Sequence, residues 1–183
     1  MSIDILRDVR VHALLFKIDQ DLARRRRKTG CRKCGAKLHC GNFPRKPKGC
    51  PASVRELYAH RFSFDCSRCD TRATPASVRF RDRRHYVSMV LALVCPRGPA
   101  HRSWLCERLK IAARTIRRWR CWWHETFVAT PLWLLKRADF VPCVNEAALP
   151  GSAIERFDAT DPGDRLLQFL RFLLPTSTGV LPV

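Results

Sequence analysis

The chain has 183 residues and carries 35 Lys/Arg against 16 Asp/Glu, a formal net charge of +19. That length holds one ordinary domain or a few small ones, and it contains no run of about 18 apolar residues able to cross a bilayer, so a membrane-spanning role is set aside. The charge is concentrated rather than spread: residues 1–23 sum to −1, residues 24–124 to +22 and residues 125–183 to −2. A polycation confined to one contiguous region calls for a polyanionic partner, nucleic acid first of all. Attachment to a membrane surface would need a basic amphipathic helix with an apolar face free to insert, and the basic region offers none. Asp4 and Asp8 interrupt the N-terminal apolar residues, so the start does not read as a secretory signal, and a cytoplasmic, reducing location is expected.

Residues 4–26 read as a helix: Val11, Leu14, Leu15, Ile18 and Leu22 make one apolar stripe, with Lys17, Asp19, Gln20 and Asp21 off it. The stripe is expected to pack on the rest of the chain or to form a dimer interface. It runs into five consecutive cations, Arg24, Arg25, Arg26, Arg27 and Lys28, a solvated surface or hinge placed to touch phosphates.

Cys31-Arg-Lys-Cys34 and Cys66-Ser-Arg-Cys69 follow, separated by thirty-one residues. Two residues between cysteines let both sulfurs face one point from a tight turn, and two such turns place four thiolates around a tetrahedral ion. Gly35 suits a turn that must bend without a Cβ. Residues 36–43 and 61–65 read as short strands, so the expectation is a zinc ribbon held by Cys31, Cys34, Cys66 and Cys69. Four thiolates leave no open coordination position, which makes the Zn²⁺ structural. The other cysteines (Cys40, Cys50, Cys95, Cys106, Cys121, Cys143) show no pairing pattern, in keeping with a reducing compartment. His39, alone in its strand, reads as an ordinary strand residue. Residues 43–51 form a Pro- and Lys-rich loop that offers Arg45, Lys46 and Lys48 to a backbone.

A helix is expected from near Arg81 to Val94, ended by Pro96-Arg-Gly-Pro99. The spacing of Leu105, Leu109, Ile111, Ile116 and Trp119 then fits a short helix, a tight turn at 110–112 and a second helix, that is, a helix-turn-helix. Lys110 stands where a glycine is usual and is strained there if φ is positive. With Ile116 and Trp119 turned inward, Arg114, Arg117 and Arg118 turn outward beside Thr115; arginine can bridge guanine O6 and N7 while its neighbours bind phosphate. Trp122 and Trp123 are expected as core or as a lid against the next helix, with stacking on bases the alternative if the target is single-stranded. Thr130-Pro131 and Asp161-Pro162 each read as an N-cap followed by a first-turn proline. The last helix, 162–174, is apolar on most of its circumference and must be buried by the chain or by a protein partner; the tail from Pro175 reads as poorly ordered.

The fold class expected is mainly α with a small β zinc ribbon. Four regions are drawn: 1–23, an N-terminal amphipathic helix; 24–75, the basic segment and ribbon; 76–124, a three-helix helix-turn-helix; 125–183, a C-terminal helical region. No G-x-x-x-x-G-K-[ST], G-x-S-x-G or H-E-x-x-H signature occurs, and the late carboxylates Asp139, Glu146, Glu155, Asp158, Asp161 and Asp164 read as caps and surface charge, so no enzyme is expected.

C-x-x-C-G, then Arg61-Phe-Ser-Phe-Asp-Cys66-Ser-Arg-Cys69 leading to Thr74-Pro75, then Leu105 to Trp119, resembles the DNA-binding regions of bacterial insertion-element transposases and the small zinc-ribbon, helix-turn-helix proteins encoded beside them. The resemblance covers residues 31–124. It implies zinc on the four cysteines and element-end or operator DNA against Arg114, Arg117 and Arg118. Such transposases continue into a large acidic-triad catalytic domain, whereas 59 residues follow here, so the resemblance implies an accessory factor or repressor that binds double-stranded DNA, with a protein partner or a second copy. The alternative from another class is a non-catalytic subunit of a nucleoprotein complex, clamping RNA or single strands and docking a partner through its last helix.

Overall fold

A computed structural model describes residues 8–47, 50–81, 103–107 and 110–178. These residues are mainly helical with a small antiparallel sheet, in agreement with the coarse expectation. Helix α1 spans Val9–Lys28. Asp8 caps its start by accepting from the Arg10 amide at 2.9 Å, and Arg25, Arg26, Arg27 and Lys28 occupy its last turn, where positive charge complements the helix dipole. The basic run is therefore helical rather than a hinge.

The buried face of α1 overlaps the expected stripe, with Leu15 buried and Val11 and Ile18 packed against the core, but is turned away from Leu14. His12, Leu15, Asp19 and Ala23 are buried, whereas Leu14 is 43% exposed. The correction centres on Asp19, 2% exposed rather than solvated. Its carboxylate accepts from Ser77 Oγ at 2.5 Å, the Val78 amide at 2.7 Å and Arg79 Nε at 2.8 Å. Arg79 is itself fully buried, donates to the Leu57 carbonyl and lies 4.7–5.8 Å from the ring centroids of Phe16, Tyr58, Phe62 and Phe80. A buried charge is tolerated only when paired and hydrogen-bonded, and this hub clamps α1 to the segment that follows the cysteines.

Five short strands follow: β1 (Leu38–Cys40), β2 (Phe43–Pro44), β3 (His60–Arg61), β4 (Phe64–Cys66) and β5 (Arg72–Ala73). They form an antiparallel sheet in the order β1-β4-β5 and a separate β2-β3 ladder. The register sets Leu38 opposite Cys66 and Phe43 opposite Arg61. Gly41 permits a close approach, because a Cβ there would strike the Asp65 carboxylate. The loop expected at 43–51 contributes β2 before turning irregular, and a 3-10 helix over Ala52–Tyr58 buries Val54 and Tyr58. His12 Nδ1 and the Tyr58 hydroxyl meet at 2.7 Å beneath α1.

The helix expected from near Arg81 falls outside the described residues but for Arg81 itself. Residues 103–107, helix α2, are helical. Lys110 has φ of +52°, and the Ile111 amide donates to the Cys106 carbonyl at 3.2 Å, the six-to-one bond by which a left-handed residue closes a helix. Helix α3, Ala113–Cys121, starts directly after this turn and continues as a π-helical turn over Trp122–Phe127. Helices α4 (Pro131–Lys136), α5 (Gly151–Ile154) and α6 (Pro162–Phe172) complete the fold. Thr130 Oγ1 accepts from the Trp133 amide, and Asp161 accepts from the Gly163 and Asp164 amides, as the Thr-Pro and Asp-Pro pairs predict.

One core joins Leu15 of α1, Val54, Tyr58, Val78, Phe80, Leu105, Ile116, Trp119, Trp123, Trp133 and α6. Of the two alternatives for α6, burial by the chain holds: Leu166, Phe169 and Leu170 are buried, and Phe169 stacks on Trp123 with centroids 5.8 Å apart. The expectation of an unordered tail is corrected for its first residues. Leu174–Ser177 form a 3-10 turn anchored by Ser177, whose hydroxyl accepts from the Ser77 amide and whose carbonyl accepts from Arg61, each at 3.0 Å. A second, smaller core of Ala23, Cys31, Leu38, Phe64, Cys66 and Ala73 lies under the cysteines, and α1 contributes to both.

Candidate metal centre and nucleic-acid interface

The two C-x-x-C turns are built alike. The Gly35 amide donates to the Cys31 carbonyl at 2.8 Å, and the Cys31 amide to the Ala36 carbonyl at 2.9 Å. In the second turn the Cys66 amide reaches the Thr71 carbonyl at 3.2 Å. The residue after each pair is left-handed, Gly35 at φ +71° and Asp70 at φ +52°; a Cβ on Gly35 would meet nothing within 4 Å, so its need is conformational. Asp is among the few other residues that accept this region.

β1 and β4 bring the turns together. The Sγ atoms of Cys34 and Cys66 are 3.4 Å apart, those of Cys31 and Cys69 and of Cys34 and Cys69 3.6 Å, and all four lie within 4.8 Å of one another. A tetrahedron of thiolates with metal–sulfur bonds of ~2.3 Å has edges of ~3.8 Å, so the spacing fits a single ion. Backbone amides already face the sulfurs: Lys33 and Arg68 amides lie 3.4 Å from Cys31 and Cys66 Sγ. Thr71 Oγ1 stands 3.1 Å from Cys69 Sγ and, with the Thr71 amide, lowers that thiol to about 6. The amides of Lys33 and Cys34 lower Cys31. Cys34 is pushed up to about 12: the Ala36 amide pulls it down, but the neighbouring sulfurs and burial outweigh it. Four sulfurs this close cannot all carry negative charge by themselves, and a divalent cation bound between them would supply the missing compensation. The donor set can hold a metal ion, and all-sulfur tetrahedral ligation suits zinc. His39 is exposed on β1 and Cys40 is exposed at its end, and neither belongs to the cluster.

The cations named from the sequence lie on α3, at the end of α1 and in the loop after β2. On α3, Arg114, Arg117 and Arg118 are exposed and Thr115 half-buried, while Ile116 and Trp119 face the core. At the end of α1, Arg24 pairs with Asp21, Arg27 Nε donates to the Leu38 carbonyl at 3.3 Å, and Lys28 is exposed. Arg26 bonds to Thr29 Oγ1 and the Gly30 carbonyl at 2.7 and 2.8 Å; burial first, then the nearby Arg32 charge, lower its pKa. Lys46 is exposed, and Lys48 lies outside the described residues.

The structure adds a cleft that the sequence reading missed. About 1150 Å³ in volume, it lies between the end of α1, β2, β5 and the Leu174–Ser177 turn. Arg25, Arg26, Arg32, Arg45, Arg61 and Arg72 line it with Phe43, and no Asp or Glu is among its described lining residues. The Arg45 guanidinium lies 4.3 Å from the Phe43 centroid and that of Arg72 5.5 Å. Arg72 is held by Asp65 at 3.0 Å. Residues from 22 to 178 contribute to this cleft, so no local spacing announces it; the only signal is the excess of arginine. No protein-family model, curated protein or solved structure matches the chain.

Proposed function

We propose that the chain is a non-enzymatic, zinc-containing nucleic-acid-binding protein that binds specific double-stranded DNA, as an accessory factor or repressor of a mobile element. The observation that carries the reading is α3. Its inner residues Ile116 and Trp119 are fixed in the core, its outer face presents Arg114, Arg117 and Arg118, and the left-handed Lys110 sets it directly after α2. A helix so anchored, with arginines on its free face, has the form of a recognition helix entering a major groove. The four-cysteine module, read as a zinc ribbon, holds the strands in place, and Arg25 and Lys28 lie exposed at the end of α1 as phosphate contacts that set register without reading sequence. The mobile-element setting rests on the resemblance of residues 31–124 alone.

Binding-site selection on the zinc-loaded protein tests the reading. The wild type is expected to enrich a common duplex motif, and Arg117→Ala with Arg118→Ala to bind duplex with the same affinity for all sequences. An unchanged preference in that variant would remove α3 as the reading helix.

A further inference from the structure

We infer that the arginine-lined cleft is a second nucleic-acid site, one that takes an unpaired single strand, with phosphates on Arg25, Arg32 and Arg72 and a base stacked on the layer formed by Phe43 and Arg45. This rests on the reading of the chain as a nucleic-acid-binding protein and adds a site apart from α3 that shares Arg25 with it.

The chemistry of the walls selects the class of ligand. Arg25 and Arg32 are exposed at the rim, Arg72 stands beside them on its Asp65 partner, and no carboxylate is among the described lining residues, a wall whose charge suits an anionic ligand. At about 1150 Å³ the space exceeds the ~300–1,000 Å³ of ordinary small-molecule pockets. The shape of the site selects unpaired bases. A duplex offers phosphates on a convex surface and hides the faces of its bases, so it meets protruding side chains such as those of α3. Phe43 instead sits in a wall, half-buried, with planar guanidinium groups beside its ring. Aromatic and arginine planes beside a cationic groove are the elements by which proteins hold single strands, since every base has a π-face and no sequence need be read.

The cleft is braced from behind, which keeps it open before a ligand arrives. Arg61, 3% exposed, ties β3 to the Ser177 carbonyl at 3.0 Å. Asp65 orients Arg72 through bonds of 3.0 and 3.4 Å. Arg26 is fixed on Thr29 and Gly30, leaving Arg25 and Arg32 exposed at the rim.

The test uses full-length, zinc-loaded protein and fluorescence anisotropy at one salt concentration. Its probes are a labelled oligothymidine of about ten nucleotides, within the ~4–16 nucleotides such grooves cover, an abasic strand of the same length, and a blunt duplex. The wild type should bind oligothymidine at least fivefold tighter than the abasic strand. Phe43→Ala and Arg32→Glu should each weaken oligothymidine about tenfold and change duplex affinity by less than about twofold. Phe43→Trp should retain single-strand binding. The triple variant Arg114→Ala, Arg117→Ala, Arg118→Ala should show the opposite pattern, weakening the duplex and keeping the single strand. Equal affinity for the abasic strand, or an oligothymidine affinity unmoved by Phe43→Ala at full zinc content and unchanged melting temperature, overturns the proposal. Wild-type binding to duplex but not to oligothymidine overturns this inference alone. Failure to bind any of the three overturns it together with the reading beneath it.

Discussion

Replacing Asp19 by alanine tests the buried hub that joins α1 to the segment after the cysteines. The substitution removes three acceptor bonds, from Ser77 Oγ, the Val78 amide and Arg79 Nε. It leaves the Arg79 guanidinium fully buried, with the Leu57 carbonyl and four aromatic rings around it but no counter-charge among those contacts. Breaking a buried pair by deleting one partner costs ~3–5 kcal/mol, because the remaining charge is uncompensated. For a chain of this size each kcal/mol moves the melting temperature by ~2–4 °C, so a loss of roughly 6–20 °C is expected by calorimetry. Removing both charges, Asp19→Leu with Arg79→Met, should recover much of that loss, since a packed apolar pair of similar volume often equals a buried ion pair. A fall of less than ~1 kcal/mol in the single variant, or a double variant as unstable as the sum of the two singles, would refute the hub as a paired charge.

Four further outcomes are expected. Chelation should remove one metal ion per chain and disorder the β1-β4-β5 sheet while the main core, built from other residues, keeps its helical circular dichroism; loss of all helical signal would show the two cores to be one cooperative unit. Zinc affinity should rise with pH and zinc binding at pH 7 should release protons, because the four thiols must be deprotonated to bind the ion and, in a ribbon disordered without metal, titrate near the ordinary thiol value of ~8.5. A flat titration between pH 5 and 8, followed by competition with a colorimetric chelator, would contradict this. Lys110→Gly should stabilise by ~0.5–1 kcal/mol in chemical denaturation, because glycine takes φ of +52° without the Cβ penalty; destabilisation would mean that the lysine side chain supplies more than the backbone costs. Gly41→Ala should lower the melting temperature, since its Cβ would strike the Asp65 carboxylate that holds Arg72; an unchanged melting temperature would deny the close approach.

What the sequence shows clearly is what spacing encodes. C-x-x-C repeated across two turns carries its own geometry, and the four sulfurs converge as that spacing requires. Thr-Pro and Asp-Pro mark two helix starts because capping is a contact between residues two or three apart. Ile116 and Trp119 fall inside and Arg117 and Arg118 outside because a helix repeats every 3.6 residues. Asp19 shows where this logic stops. Its burial depends on Arg79, sixty residues later, and a periodicity argument that sorts side chains by polarity alone must place it in water. The cleft fails the same test, since its arginines come from α1, the turn after Cys31, β3, β5 and the residue following β2. Ser177 was likewise hidden: its partners Arg61 and Ser77 are about a hundred residues away.

The central claim, that this chain binds specific duplex DNA, is met most directly by crosslinking the protein in cells, recovering the attached nucleic acid and sequencing it. The account predicts duplex DNA fragments that share a motif, and loss of that motif when Arg117 and Arg118 are replaced by alanine. Recovery of RNA alone, or of DNA with no sequence in common, would contradict it.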